Sequence, residues 1–192
     1  AQLITRKVNK SKRSISPTDA SYIAEITLCD MTLASEETGK LCNYVEEGGI
    51  ITREIIDKLV AKRLETSIYA LSDAISSKNL SKAYKLLDEY FEQRVDEITI
   101  SSALSGAFID YYRAKIAKSE GIPPQKAAEK FGFKPNRYFV MTKAYNAVSS
   151  VSIEFLRDSV ATLSRLDISL KSTAINKRTL LEQTITRLMV NK

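Results

Sequence analysis

Histidine and tryptophan are absent from this sequence of 192 residues, and cysteine occurs only twice. Without histidine, the chain cannot carry a Ser-His-Asp or Cys-His catalytic arrangement, or a metal site with histidine ligands. Two cysteines are too few for a zinc site made of four thiolates. We therefore expect neither a metal nor a cofactor.

Both cysteines, Cys29 and Cys42, lie in apolar, helix-like patterns. Cysteine behaves as a small hydrophobic residue in such positions, so we interpret both as reduced thiols in the core. A disulfide between them is an alternative that needs an oxidising compartment. The sequence shows no signal-peptide run and no stretch near the roughly 18 apolar residues of a membrane helix. These features predict a cytoplasmic protein with no membrane partner.

Turn-forming residues are scarce, with six glycines and four prolines in the whole chain. No Asn-Gly or Asp-Gly hairpin signal occurs, and apolar residues recur at helical spacing almost throughout. The expected N-caps of helices are Ser16, which precedes a proline, Thr52, Asn79 or Ser81, and Ser152. The sequence predicts an all-α fold.

Charge divides the chain into two parts. Residues 1–60 carry a net charge of −1, whereas residues 61–192 carry +7. Short helical patterns in the first part give way to long ones in the second. We therefore predict a small three-helix domain at 1–60, a helical bundle at 61–192, and a hinge near Val60–Leu64. The chain does not begin with Met and starts inside a helix-like pattern, so we interpret it as a fragment of a longer protein.

No catalytic or nucleotide-binding motif is found. The Gly-Lys pair, Gly39-Lys40, is followed by Leu41 and lacks the earlier glycine of a phosphate-binding loop. No Gly-x-Gly-x-x-Gly sequence occurs, and neighbouring acidic residues on a helix point about 100° apart. An interaction module is therefore favoured over an enzyme.

Residues 110–143 hold eight basic and three acidic residues, and residues 124–138 resemble a helix-turn-helix. The candidate DNA or phosphate contacts are Lys134, Arg137 and Lys143. The second helix of the pair begins with a nearly all-apolar turn, which favours packing over the reading of base edges. Sequence reading, non-specific phosphate contact and plain packing are the three interpretations.

The C-terminal helices carry two acid–base pairs at i, i+4 spacing, formed by Lys171 and Arg178 with the acidic residues four positions away. These are either surface ion pairs or charges that fix the register of a partner. The candidate residues of a partner interface or its rim are Tyr112, Arg165, Lys171, Arg178 and Met189.

The chain resembles the delta subunit of bacterial DNA polymerase III, a clamp-loader subunit, without its N-terminal domain. The stretches that carry the resemblance are 33–44, 48–52, 68–75, 127–135, 166–171 and 178–182. In the first of them Glu37, Lys40, Leu41 and Tyr44 match the family pattern. Phe131 stands where the family has leucine. The gamma/tau and delta-prime subunits are a weaker match.

This resemblance implies a lid-like domain (domain II) at 1–60 and a collar domain (domain III) at 61–192. In the family, such collar domains of delta, gamma/tau and delta-prime form a pentameric ring. The resemblance assigns the grip on the sliding clamp to the N-terminal domain, which this sequence does not include. It implies a non-catalytic chain that assembles the collar during DNA replication and contacts DNA weakly or indirectly. The alternative is a helical DNA-binding module that uses residues 110–143.

Overall fold

The computed structural model of the chain describes residues 1–27, 30–60 and 64–190. It separates into two compact units, Ala1–Thr66 (unit 1) and Ser67–Lys192 (unit 2). Regular structure in the described ranges is almost all helical, which confirms the predicted fold class. The predicted hinge falls largely on 61–63, outside the described residues, so the boundary between domains 1–60 and 61–192 stays a prediction. Cys29 also lies outside them.

Unit 1 places helices and two short strands around one core. Its elements are α1 (Gln2–Lys10), β1 (Ser14–Ile15), α2 (Pro17–Ile26), α3 (Met31–Tyr44), β2 (Ile50–Ile51) and α4 (Arg53–Leu59). The helix-like pattern at the start of the sequence corresponds to α1, and Ile4 and Val8 are buried in the same core as the three later helices. Cys42 is a buried free thiol in this core, as predicted.

The strands β1 and β2 pair in parallel over two residues each. Beside them, the Gly48 N–H donates to the Lys12 carbonyl at 2.8 Å, and the Ser14 N–H donates to the Gly49 carbonyl at 3.0 Å. Gly48 has a φ of +82°, a conformation that glycine adopts without steric cost. The turn after α3 therefore also holds the basic segment that follows α1.

Within 64–190, the structure is built from helices and one 3₁₀ turn, Pro135–Arg137. The helices are α5 (Leu64–Ser76), α6 (Leu80–Glu92), α7 (Glu97–Ser119), α8 (Pro124–Lys130), α9 (Tyr138–Ala147), α10 (Ile153–Ser172) and α11 (Lys177–Val190). The longest two, α7 and α10, form the most extensively packed pair of unit 2. The rings of Phe108 and Phe155 lie 6.3 Å apart between them. An apolar stripe along α10 faces the core, and its Leu156 and Leu163 are fully buried.

Predicted helix starts agree with the structure in all but one respect. The side chains of Ser16, Asn79 and Ser152 each accept a hydrogen bond from the backbone N–H three residues later, at 3.0–3.1 Å. Such caps stabilise a helix by about 0.5–2 kcal/mol. Thr52 occupies the N-cap position of α4, but its side chain makes no capping hydrogen bond.

Candidate functional site

The C-terminal end of α10 presents one of the predicted ion pairs to solvent. Lys171 Nζ lies 2.7 Å from Asp167 Oδ2, as the i, i+4 spacing predicts. Arg165 is exposed one turn earlier and its Nη2 donates to Thr162 Oγ1 at 3.3 Å. Between these two cations, the side chain of Ile168 is 63% exposed. An apolar side chain thus stands between two basic ones on the outer face of α10.

Arg178, at the start of α11, joins that helix to α6. Its Nε lies 2.7 Å from Glu182 Oε1, which confirms the second predicted pair, and its Nη2 lies 3.0 Å from Asp88 Oδ1. Its guanidinium also stacks over the ring of Phe91, 4.2 Å from the centroid. The hydrogen bond from Arg178 to Glu182 raises the pKa of the guanidinium. The long-range partners were not predicted, because Asp88 is 90 residues away. Arg178 therefore holds two helices of unit 2 together.

Tyr112 and Met189, the two other candidate interface residues, differ in exposure. Tyr112 is half-buried, next to the buried Tyr111, because adjacent residues on a helix point about 100° apart. Met189 is only 5% exposed, so this candidate interface residue offers little surface to a partner. It shares the inner face of α11 with Leu181 and Ile185 through i, i+4 and i, i+8 spacing. Val190 is the exposed apolar residue at this end.

The basic stretch 110–143 is partly neutralised inside the protein. Arg113 Nη1 lies 3.5 Å from Asp110 Oδ1. The amino groups of Lys115 and Lys118 donate to backbone carbonyls at the end of α9, at 3.1 Å each. Cations at a helix C-terminus interact favourably with the helix dipole. Three of the eight basic residues therefore serve packing.

Arg137 also points into unit 2. It is half-buried, its Nε is buried, and its positive charge acts on the Asp110 carboxylate. Arg137 is therefore less accessible than the other candidate phosphate contacts, and its part in such a contact stays a prediction. Lys134 and Lys143, the other two candidates, have exposed side chains.

The predicted helix-turn-helix is present as a packed pair of helices. α8 packs against α9, and Gly132 in the turn between them has a φ of +75°. The second helix, however, is preceded by a 3₁₀ turn, and Val140 and Met141 in its first turns are buried. The geometry agrees with the packing interpretation and offers no polar helix start for reading bases.

A network of hydrogen bonds between tyrosine hydroxyls and carboxylates joins α5 to α7. The Tyr69 hydroxyl donates to Asp110 Oδ2 at 2.7 Å, and the Tyr111 hydroxyl donates to Asp73 Oδ1. Burial raises the pKa of the Asp110 carboxyl, while the Tyr69 hydrogen bond and neighbouring arginines act in the opposite direction. Burial also raises the pKa of Tyr111 well above its ordinary value. Asp73 belongs to the stretch 68–75 and orients α5 on α7.

The residues of unit 1 that carry the family resemblance have structural partners. The Glu37 carboxylate is largely buried and its Oε1 lies 2.7 Å from Lys40 Nζ. Leu41 is fully buried in the core of unit 1. Tyr44 is 52% exposed, and Lys58 Nζ donates to its hydroxyl at 3.3 Å. These residues shape α3 and its contact with α4, and they form no catalytic arrangement.

Few features of the described residues suit small-molecule chemistry. An open groove of about 470 Å³ lies between α6 and α11 and is lined by residues such as Tyr84 and Arg187. Within ranges 1–27, 30–60 and 64–190, no group of three acidic or cysteine side chains is arranged to hold a metal ion. None of the described helices is long and apolar enough to cross a bilayer.

Fold and surfaces together define a class of protein: a helical module whose distinctive features are exposed apolar and basic surfaces. The family model described as "DNA polymerase III delta subunit, C-terminal domain" matches residues 65–188. Since this is well over half of the sequence, the chain belongs to that family.

Two curated relatives agree with this assignment. The probable DNA polymerase III subunit delta of Aquifex aeolicus is 24% identical over 167 residues, which cover 86% of this chain and 47% of that protein. The DNA polymerase III subunit delta of Bacillus subtilis is 22% identical over 178 residues, 93% of this chain and 50% of that protein. The chain thus spans about half the length of the curated relatives it matches.

A solved structure extends the likeness in fold. The Bacillus subtilis DNA clamp loader delta protein superposes with a TM-score of 0.82 at 20% identity, over 99% of this chain and 55% of that one. The fold resemblance therefore includes both units.

Sequence reasoning missed Ile168 and Ile175 as exposed apolar residues. The helical pattern around them signals Ile168, since it lies opposite the buried α10 stripe, but gives no signal for Ile175 in the loop.

Proposed function

We propose that this chain is the lid-like and collar part of a clamp-loader delta subunit and that it assembles the collar without catalysing a reaction. Domain 1–60 would be the lid-like domain II and domain 61–192 the collar domain III of the replicative DNA polymerase III holoenzyme in the cytoplasm. The match of the delta-subunit family model to residues 65–188 carries this proposal. The likeness in fold to a protein named as a DNA clamp loader delta protein supports it.

The partners we propose are the gamma/tau and delta-prime subunits. Contact with the sliding clamp is assigned to the N-terminal domain of the family. Surfaces on unit 2 fit protein partners, because Ile168 and Ile175 are 63% and 56% exposed beside basic residues. Exposed apolar groups rimmed by polar ones are typical of interaction sites. Arg165 and Lys171 at this rim would contribute more to specificity and association rate than to affinity.

Arg178 has a supporting part in this proposal. Its contacts with α6 orient the start of α11, and the preceding loop carries Ile175. Tyr112 on α7 belongs to a second surface that suits a partner. Its aromatic side chain is half-buried, and Ile109, one turn away on the same helix, is 36% exposed. Tyrosine is enriched at protein interfaces, which favours this face as an additional contact.

A binding experiment tests the proposal. The purified chain is mixed with gamma/tau and delta-prime subunits, with the sliding clamp and with primed DNA, and each mixture is analysed by size-exclusion chromatography at physiological salt. We expect co-elution with the clamp-loader subunits, no complex with the clamp, and no ATPase activity of the chain alone. If the chain ignores these subunits but captures primed DNA, the alternative of a DNA-binding module replaces the proposal.

Replacing Ile168 with glutamate is expected to weaken association with the clamp-loader subunits by about tenfold or more, because a charged carboxylate would replace the apolar side chain that is buried at the interface. Stability should stay within about 0.5 kcal/mol of the wild type, since the side chain is exposed. Binding is measured by surface plasmon resonance. The matched control is Met31→Glu, at a methionine of unit 1 that is 59% exposed. Equal loss of affinity in both variants would contradict this role of Ile168.

A further inference from the structure

We propose that Lys126, Lys130 and Lys134 form a ridge that binds the phosphate backbone of duplex DNA without reading its sequence. We call this surface the lysine ridge. The inference goes beyond collar assembly and rests on the charge and exposure of the region from α8 to α9.

The first support is charge. Between residues 121 and 150 the chain has five basic residues and one acidic residue, Glu129. Arg137 is half-buried, whereas the side chains of the lysine ridge are exposed. An excess of uncompensated positive charge on one surface attracts a polyanion and accelerates its association. α6, by contrast, carries no excess of positive charge, because its two lysines are accompanied by three acidic residues.

Geometry is the second support. Ala127 and Ala128 are fully buried, so α8 is anchored by its inner face, and Lys126 and Lys130 share its outer face. Residues four apart on a helix have Cβ atoms about 5–6 Å apart, so the two lysine side chains start from neighbouring positions on this face. Lys134 follows Gly132 as the exposed N-cap of the 3₁₀ turn, in the segment that leads from α8 to α9. α8 itself packs against α9.

The lysine side chains of this surface favour a phosphate backbone over bases or a protein as the partner. Lysine is a flexible point charge that contacts phosphates, and such contacts position a protein on DNA without reading sequence. Base reading would need polar groups at the start of α9, where Val140 and Met141 are buried. Lysine is depleted at protein–protein interfaces, so a protein partner fits this surface less well.

The test measures the salt dependence of DNA binding by the full chain. Fluorescence anisotropy follows binding to duplexes of about 30 base pairs, in two unrelated sequences, between about 25 and 200 mM salt. The site variant is Lys126→Gln/Lys130→Gln/Lys134→Gln. The control is Lys82→Gln/Lys85→Gln/Lys177→Gln, which changes the net charge equally at exposed lysines on α6 and α11. Circular dichroism checks that both variants are folded.

We expect wild type and control to bind both duplexes at low salt and to lose them near physiological salt. The site variant should bind about tenfold or more weakly at low salt, and its log–log salt slope should fall by about 2.7, or 0.9 for each lost phosphate contact. No binding by the wild type at about 25 mM salt, or equal losses in both variants, would overturn the proposal. Displacement of the DNA by polyglutamate at equal charge concentration would overturn it in favour of an acidic protein partner. Collar assembly is measured separately, so the two proposals can fail independently.

Discussion

Replacing Leu163 with alanine is expected to lower the free energy of unfolding of unit 2 by about 2–5 kcal/mol. Leu163 is fully buried in the middle of α10, and the substitution removes apolar contacts and leaves a cavity. The loss is a large part of the stability of a domain, which is typically about 5–15 kcal/mol. Urea denaturation, with hydrogen exchange to locate the loss of protection in α7 and α10, measures the effect.

The matched control for this variant is Ile168→Ala on the same helix. Because Ile168 is 63% exposed, its truncation should change stability by less than about 0.5 kcal/mol in the isolated chain. If Leu163→Ala also changed stability by less than about 0.5 kcal/mol, the stripe on α10 would not be the core of unit 2.

The second large effect is expected in unit 1. Ile56→Ala should destabilise this unit by about 2–5 kcal/mol, because Ile56 is fully buried where α4 meets the core. Hydrogen exchange should show the loss of protection in α2 and α3. A single denaturation midpoint is not a sufficient measure here, since chains with two compact units often depart from two-state unfolding.

Ile50→Ala is the control in unit 1, since this isoleucine is 62% exposed and should tolerate truncation within about 0.5 kcal/mol. Unchanged protection of α2 and α3 in Ile56→Ala would show that α4 does not stabilise unit 1.

Much of the helical architecture could be predicted from local sequence signals. Helix starts at Ser16, Asn79 and Ser152 follow from side-chain capping, which involves residues only three apart. The buried face of α10 follows from apolar residues at helical spacing. These features depend on neighbours in sequence, and for that reason a single sequence contains the information.

Long-range contacts could not be predicted in the same way. The parallel pairing of β1 and β2 involves two residues in each strand, too few for an alternating pattern. Arg178 contacts Asp88 on another helix, and Arg137 is half-buried. A basic residue has the same sequence signal whether it faces solvent or an internal carboxylate. The burial of Met189, unlike that of the basic residues, could be predicted from the sequence, because its helical spacing from Leu181 and Ile185 places it on the buried face of α11.

The family resemblance adds what local patterns lack, and the structure gives its residues a physical role. Asp73 accepts a hydrogen bond from Tyr111, and Lys171 forms an ion pair with Asp167. In the stretches 166–171 and 178–182, leucines such as Leu181 are buried in the core. The pattern that resembles delta subunits thus corresponds to the packing of unit 2, and the surfaces that face partners are the part left for experiment.

Native mass spectrometry of the chain mixed with gamma/tau and delta-prime subunits tests the central claim, that this chain assembles the collar, most directly. The proposal predicts a complex whose mass includes one copy of this chain together with both partners, and loss of that complex in Ile168→Glu but not in Met31→Glu. A spectrum with the chain only at its monomer mass of 21.5 kDa, beside a partner complex that lacks it, would contradict the account.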